Sequence, residues 1–106
     1  MTTFDDREHA FEAKFAHDEA VRFRAEARRN KLLGLWAADL MGISGDEADA
    51  YAKTVIAADF EEAGDEDVVR KVTADLQGNV TSDAIREKMA ELMIEAKQQI
   101  KSEGEW

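Results

Sequence analysis

The chain has 106 residues, no cysteine, no proline, a net charge of −10 and an apolar fraction of 44%. That length supports one hydrophobic core and so one domain. The missing cysteines exclude a disulfide framework and a thiolate metal site, which fits a reducing compartment, and no apolar run approaches the ~18 residues of a membrane span.

The opening, Met1 to Asp6, is acidic and lacks the apolar stretch of a signal peptide, so a cytoplasmic location is expected. The first predicted helix starts near Thr3 or Phe4 and runs to about Met41, where Gly42 ends it. At about 100° per residue, Phe4, Phe11 and Phe15 fall within roughly 40° of one another, and Leu33 and Leu40 share that azimuth. Asp18, Arg22 and Arg29 interrupt the stripe, and half of residues 4–31 are charged. A helix this long would reach about 58 Å, more than a domain of this size spans. Either it folds back near Arg28, Arg29 and Asn30, or its first half projects. An isolated segment of that length is only marginally helical in water, so residues 1–17 are expected to be partly disordered. Two readings of the phenylalanines stay open: they cover the core, or they anchor an amphipathic segment in a partner's groove.

His9 and His17 stand eight residues apart, about 12 Å along a helix, too far to share one metal. Arg22, Arg24, Arg28, Arg29 and Lys31 form a basic cluster. It could pair with the acids of the same chain, dock on an acidic protein surface, or bind the phosphates of ATP or ADP weakly. Residues 1–31 hold seven basic and seven acidic side chains, whereas 39–67 hold ten acids and only Lys53. Such a body repels phosphate backbones, which excludes nucleic acid as a partner.

The second helix is predicted from Ser44, with Glu47 completing a capping box, to Gly64. It offers Tyr51, Ala52, Val55, Ile56 and Phe60 to the core. From Asp59 the run resembles a calcium loop, but Ala63 stands at its fifth position and Arg70 at its twelfth, where oxygen ligands belong, so the site is rejected. Asp65 is predicted to cap a short third helix that carries Val68, Val69, Val72 and Leu76 and ends at Gly78. The fourth opens at Thr81 or Ser82, carries Ile85, Met89, Leu92, Met93, Ala96 and Ile100, and frays after Lys101. With Leu32, Leu33, Trp36, Leu40 and Ile43, these faces suffice for an all-α four-helix bundle with a long N-terminal helix. No nucleophile elbow, phosphate-cradling loop or dinucleotide fingerprint is present, so neither enzymatic activity nor a cofactor is expected.

Four blocks are familiar as sequence: T-T-F-D-D-R-E, F-E-A-K-F-A-H-D, A-E-A-R-R-N-K-L-L-G-L-W-A-A and Y-A-K-T-V-I-A-A-D-F-E-E-A-G-D-E-D-V-V-R-K-V. They resemble the zeta subunit family of alphaproteobacterial F-type ATP synthase, with 24–38 and 51–72 the most specific stretches. The resemblance implies a four-helix bundle, and an N-terminal inhibitory segment over 1–18 joined to a body over 19–106. It implies inhibition of ATP hydrolysis by F1, with the segment entering a catalytic interface between alpha and beta subunits near gamma. Phe4, Phe11 and Phe15 would be apolar anchors, and Asp5, Asp6, Arg7, Glu8, Glu12, Lys14 and Asp18 a polar flank. The chain would then be monomeric when free and held peripheral to the inner membrane through F1, without inserting into it. A nucleotide-sensing bundle built on the basic cluster and a structural assembly factor are the alternatives.

Overall fold

The computed structural model describes residues 3–59 and 65–104, with side chains from residue 18 onward. Four helices follow in order: α1 Thr3–Leu40, α2 Gly45–Ala58, α3 Glu66–Asp75 and α4 Ser82–Ser102. The helix α1 is the spine. Both α2 and α4 pack along it with no close backbone approach to each other, and α3 lies against both. Ten buried residues make the core: Leu33 and Ala37 from α1, Val55 from α2, Val68, Val69 and Val72 with Leu76 around α3, and Ile85, Met89 and Leu92 from α4. The predicted stripes of α3 and α4 are therefore the buried faces.

The spine does not fold back at Arg28–Asn30; it is one helix of 38 residues. At ~1.5 Å per residue that is ~57 Å, which accounts for the 60 Å long axis of a particle only 26 × 21 Å across. Helix α4 runs antiparallel to it, with Lys88 Nζ 5.7 Å from the Trp36 ring and Gln99 bonded to Arg28. In that register α4 ends alongside Val21 and Ala25, the first buried residues of α1 among those described. The α1 backbone from Thr3 to about Ala20 thus runs beyond the end of α4, as the projecting alternative requires.

One expected core residue is on the surface. Leu40 is 52% exposed. The apolar seam of α1 follows the i, i+4 row Leu33, Ala37, Met41, so it winds away from the seven-residue step that would have kept Leu40 inside.

Helix ends follow the glycines with corrections. At the end of α1, Gly42 takes φ 77°, and its N–H bonds Asp39 O while that of Ile43 bonds Ala38 O, the two bonds of a Schellman turn. At the end of α3 the same pair of bonds places Gln77 at the left-handed position ahead of Gly78: Gln77 N–H reaches Ala74 O, Gly78 N–H reaches Thr73 O, and the two residues have φ 56° and 76°. Ser44 stands at the N-cap of α2, but its hydroxyl makes no capping bond, so the capping box does not form. That helix ends at Ala58, before the predicted Gly64, which with Phe60 lies outside the described residues. Asp65 also makes no capping bond, because its carboxylate is held by Arg29. Thr81 does cap α4, accepting from Ala84 N at 3.1 Å.

Gly34 sits inside α1, where a glycine costs about 1 kcal/mol relative to alanine. A Cβ built there would lie 2.6 Å from Ala52 Cα, 3.0 Å from Ala52 Cβ and 3.3 Å from Val55 Cγ2. The nearest obstacle is backbone, so α1 and α2 would have to move apart. Gly34→Ala is expected to destabilise the fold by about 2 kcal/mol, the overpacking cost exceeding the helix-propensity gain, as read by urea unfolding. Conversely, Gln77→Gly is expected to stabilise it by about 0.5–1 kcal/mol by relieving the left-handed strain; no gain in the urea midpoint would show that Gln77 is unstrained.

Candidate functional site

The candidate site is the N-terminal half of α1 and the place where α1 roots in the bundle. Of the residues expected to meet a partner, Asp18 is exposed. The side chains of Phe4, Asp5, Asp6, Arg7, Glu8, Phe11, Glu12, Lys14 and Phe15, with those of His9 and His17, lie outside the described residues.

The basic cluster is described in full, and its members do not converge. At 100° per residue their azimuths scatter around the helix, and each meets a different environment. Arg22 lies near Glu19 and bonds Glu26 at 3.2 Å, both on its own helix. Arg24 is exposed. Arg28 reaches the end of α4: Nη1 donates to Gln99 Oε1 and to Glu103 Oε1, both at 2.8 Å, and Nη2 donates to Glu103 Oε2 at 2.9 Å. Arg29 is only 4% exposed and is claimed by two partners. Its Nη2 and Nη1 grip Asp65 at 2.9 and 3.3 Å, and its Nε and Nη2 donate to Asn30 Oδ1 at 3.1 and 3.0 Å. Lys31 is exposed. Of the two 390 Å³ cavities that touch the cluster, one takes in Arg29 and the other Lys31. Intramolecular pairing is thus what Arg22, Arg28 and Arg29 do.

The grip on Asp65 explains the missing cap of α3, since a carboxylate held by a guanidinium is not aimed at its own helix end. Near the same carboxylate, Asp67 bonds Arg70, so the cation at the twelfth position of the calcium-like run sits on one of its acids. Among the described residues, no three potential metal ligands gather.

Asn30, fully buried, presents its oxygen to Arg29, while its Nδ2 has no hydrogen-bond partner of ordinary length among the described residues. The acid it acts on is Asp59, just past α2. Burial pushes the Asp59 carboxyl above the ordinary aspartate range; Arg29 opposes this, Asp65 and Glu26 add to it, and Asn30 opposes it. Three positions therefore matter here that sequence patterning does not pick out. Asn30 and Asp59 look like surface residues, and Glu103 is separated from Arg28 by 75 positions.

The family model described as ATPase inhibitor subunit zeta matches residues 1–99. A solved structure, determined by solution NMR, is 57% identical in sequence, covers 77% of this chain and 96% of its own, and superposes with a TM-score of 0.73. No curated protein matches.

A group whose folded pKa is raised contributes stability below its unfolded pKa and loses it as pH rises through the folded value. Asp59 therefore opposes folding above the ordinary aspartate range. Asp59→Asn is expected to stabilise the bundle at pH 7 relative to the parent chain, with the difference shrinking as pH falls through that range. Urea unfolding at pH 7 and pH 4 measures both; a variant less stable at pH 7 would mean that the attraction of the Arg29 charge outweighs burial.

Proposed function

The chain belongs to the ATPase inhibitor subunit zeta family, and on that premise we propose that it restrains the F1 part of an ATP synthase by lodging its N-terminal segment in a catalytic interface. The inhibitory role follows from the family. The segment over residues 2–18, the interface between alpha and beta subunits near gamma, and the anchors Phe4, Phe11 and Phe15 are the proposed detail.

The observation that carries the reading is the continuity of α1. Among the described side chains of the spine, the buried ones begin at Val21, and the helix itself begins at Thr3. Some 18 residues, ~27 Å of helix, lie ahead of Val21 and run beyond the end of α4. Sequence periodicity puts three phenylalanines on one side of that length. Burying them in a groove removes ~150–250 Å² each from water, ~11–19 kcal/mol gross at ~25 cal/mol per Å². Association entropy and side-chain ordering subtract from this, leaving room for micromolar to nanomolar binding. Inhibition of a rotary ATPase needs no reactive group. It needs a cleft whose shape changes with rotation and an occupant that prefers one shape.

Deleting residues 2–18 tests this directly. The truncated chain is expected to keep its helical body and its unfolding midpoint to within a few degrees, and to lose inhibition of F1 ATP hydrolysis by roughly a hundredfold or more. A truncated chain that inhibits as well as the whole one would sink the proposal. One that no longer folds would return the phenylalanines to the core.

A further inference from the structure

Where α1 leaves the bundle, one arginine ties it to the far end of the chain. Arg28 lies seven residues after Val21 and three after Ala25, on the face of α1 that α4 covers. Its guanidinium makes three hydrogen bonds to two side chains four residues apart on α4, Gln99 and Glu103. The carboxylate is held by both its oxygens, the bidentate geometry that fixes direction as well as distance. The acceptors are themselves fixed. Glu103 caps α4 with its N–H on Gln99 O, and Gly104 turns the chain at φ 80°. The cation also meets the negative end of the α4 dipole, and Arg28 holds the Glu103 carboxyl below the usual glutamate range.

We propose that Arg28, gripped by Gln99 and Glu103, is a positioning residue for inhibition: it sets the azimuth and direction in which the N-terminal half of α1 leaves the body. This rests on the functional reading above. Two acceptors one helical turn apart define a line along α4, and a planar donor bonded to both resists rotation of α1 about its own axis. The lever is long. From Arg28 to Thr3 is ~38 Å of helix, so a tilt of ~10° at the root displaces the tip by roughly 6–7 Å, more than a side chain's width in a groove. The tie lies at the periphery, with the Arg28 and Glu103 side chains 27% and 43% exposed, and the core is filled by other residues. Its loss therefore loosens the exit of α1 more than the fold.

The experiment uses the full chain and purified F1. Arg28→Glu and Glu103→Arg are each expected to weaken inhibition of ATP hydrolysis about tenfold, and the double exchange to restore it to within about twofold of the parent. In the free proteins, amides of residues 19–26 should exchange faster in both single variants, while those of 33–38 stay unchanged. Single variants that inhibit like the parent overturn the role, even if exchange changes, and so does a double exchange as weak as the singles. A parent chain that fails to inhibit overturns the functional reading and this role with it. The exchange difference, read without F1, then shows separately whether Arg28 holds the exit.

Discussion

The bundle rests on the approach of two backbones. Gly34 lets α2 come so near α1 that Ala52 Cα occupies the space a side chain would need. The rest of the packing conforms to that closeness. Ala37, Ala38, Ala48, Ala52 and Ala58 are all buried, so the layer between α1 and α2 is built from small side chains, and the larger Leu33 and Val55 fill its floor. A bundle with so thin a waist has little apolar material to spare, and every buried turn of α1 from Val21 onward is needed. That makes the length of α1 informative. The spine backbone runs past the end of α4, and the excess lies at its N-terminal end.

The second organising feature is polar. Arg29 and Asn30 stand in the buried face of α1 and tie it to Asp65, at the start of α3. Burying a guanidinium is unfavourable unless its donors are satisfied, and here the oxygens of Asp65 and Asn30 satisfy them. Replacing such a pair by apolar residues often leaves stability unchanged or raised, so its physical contribution is better sought in specificity. A leucine at 29 would accept many rotations of α3 against the spine; a bidentate pair accepts few. The proton-favouring site of Asp59 is the cost that accompanies this arrangement.

Much of this was legible because helices are local. Gly42, Asp65, Thr81 and the stripe from Ile85 to Ile100 mark ends and faces within a few residues of themselves, and the blocks around 24–38 and 51–72 carry the family. The misses share a cause, which is that they depend on where another helix arrives. Leu40 has the right azimuth for the seam but lies beyond the point where the seam has wound away. Ser44 and Glu47 have the spacing of a capping box without closing its bonds. Asp65 is a good cap by type, yet Arg29 takes its carboxylate from 36 positions away. The left-handed turn after α3 begins at Gln77 and continues through Gly78, because the helix closes one residue ahead of the glycine. Gly34 reads as a weak point in a helix until Ala52 is set against it. The anchors Phe4, Phe11 and Phe15 rest on sequence periodicity and family membership alone.

Helical continuity also bears on how tightly α1 can bind a partner. A free peptide of about fifteen residues that folds on binding must nucleate a helix, and a nucleation constant of about 10⁻³ corresponds to ~4 kcal/mol, or three decades of affinity. That is a substantial share of the ~8–12 kcal/mol of a micromolar to nanomolar complex. A segment that extends a helix already formed and buried in its own body avoids this cost, since each residue adds by propagation onto an existing turn. On the proposed reading, the four-helix body serves to keep α1 helical at the point where the segment over residues 2–18 begins.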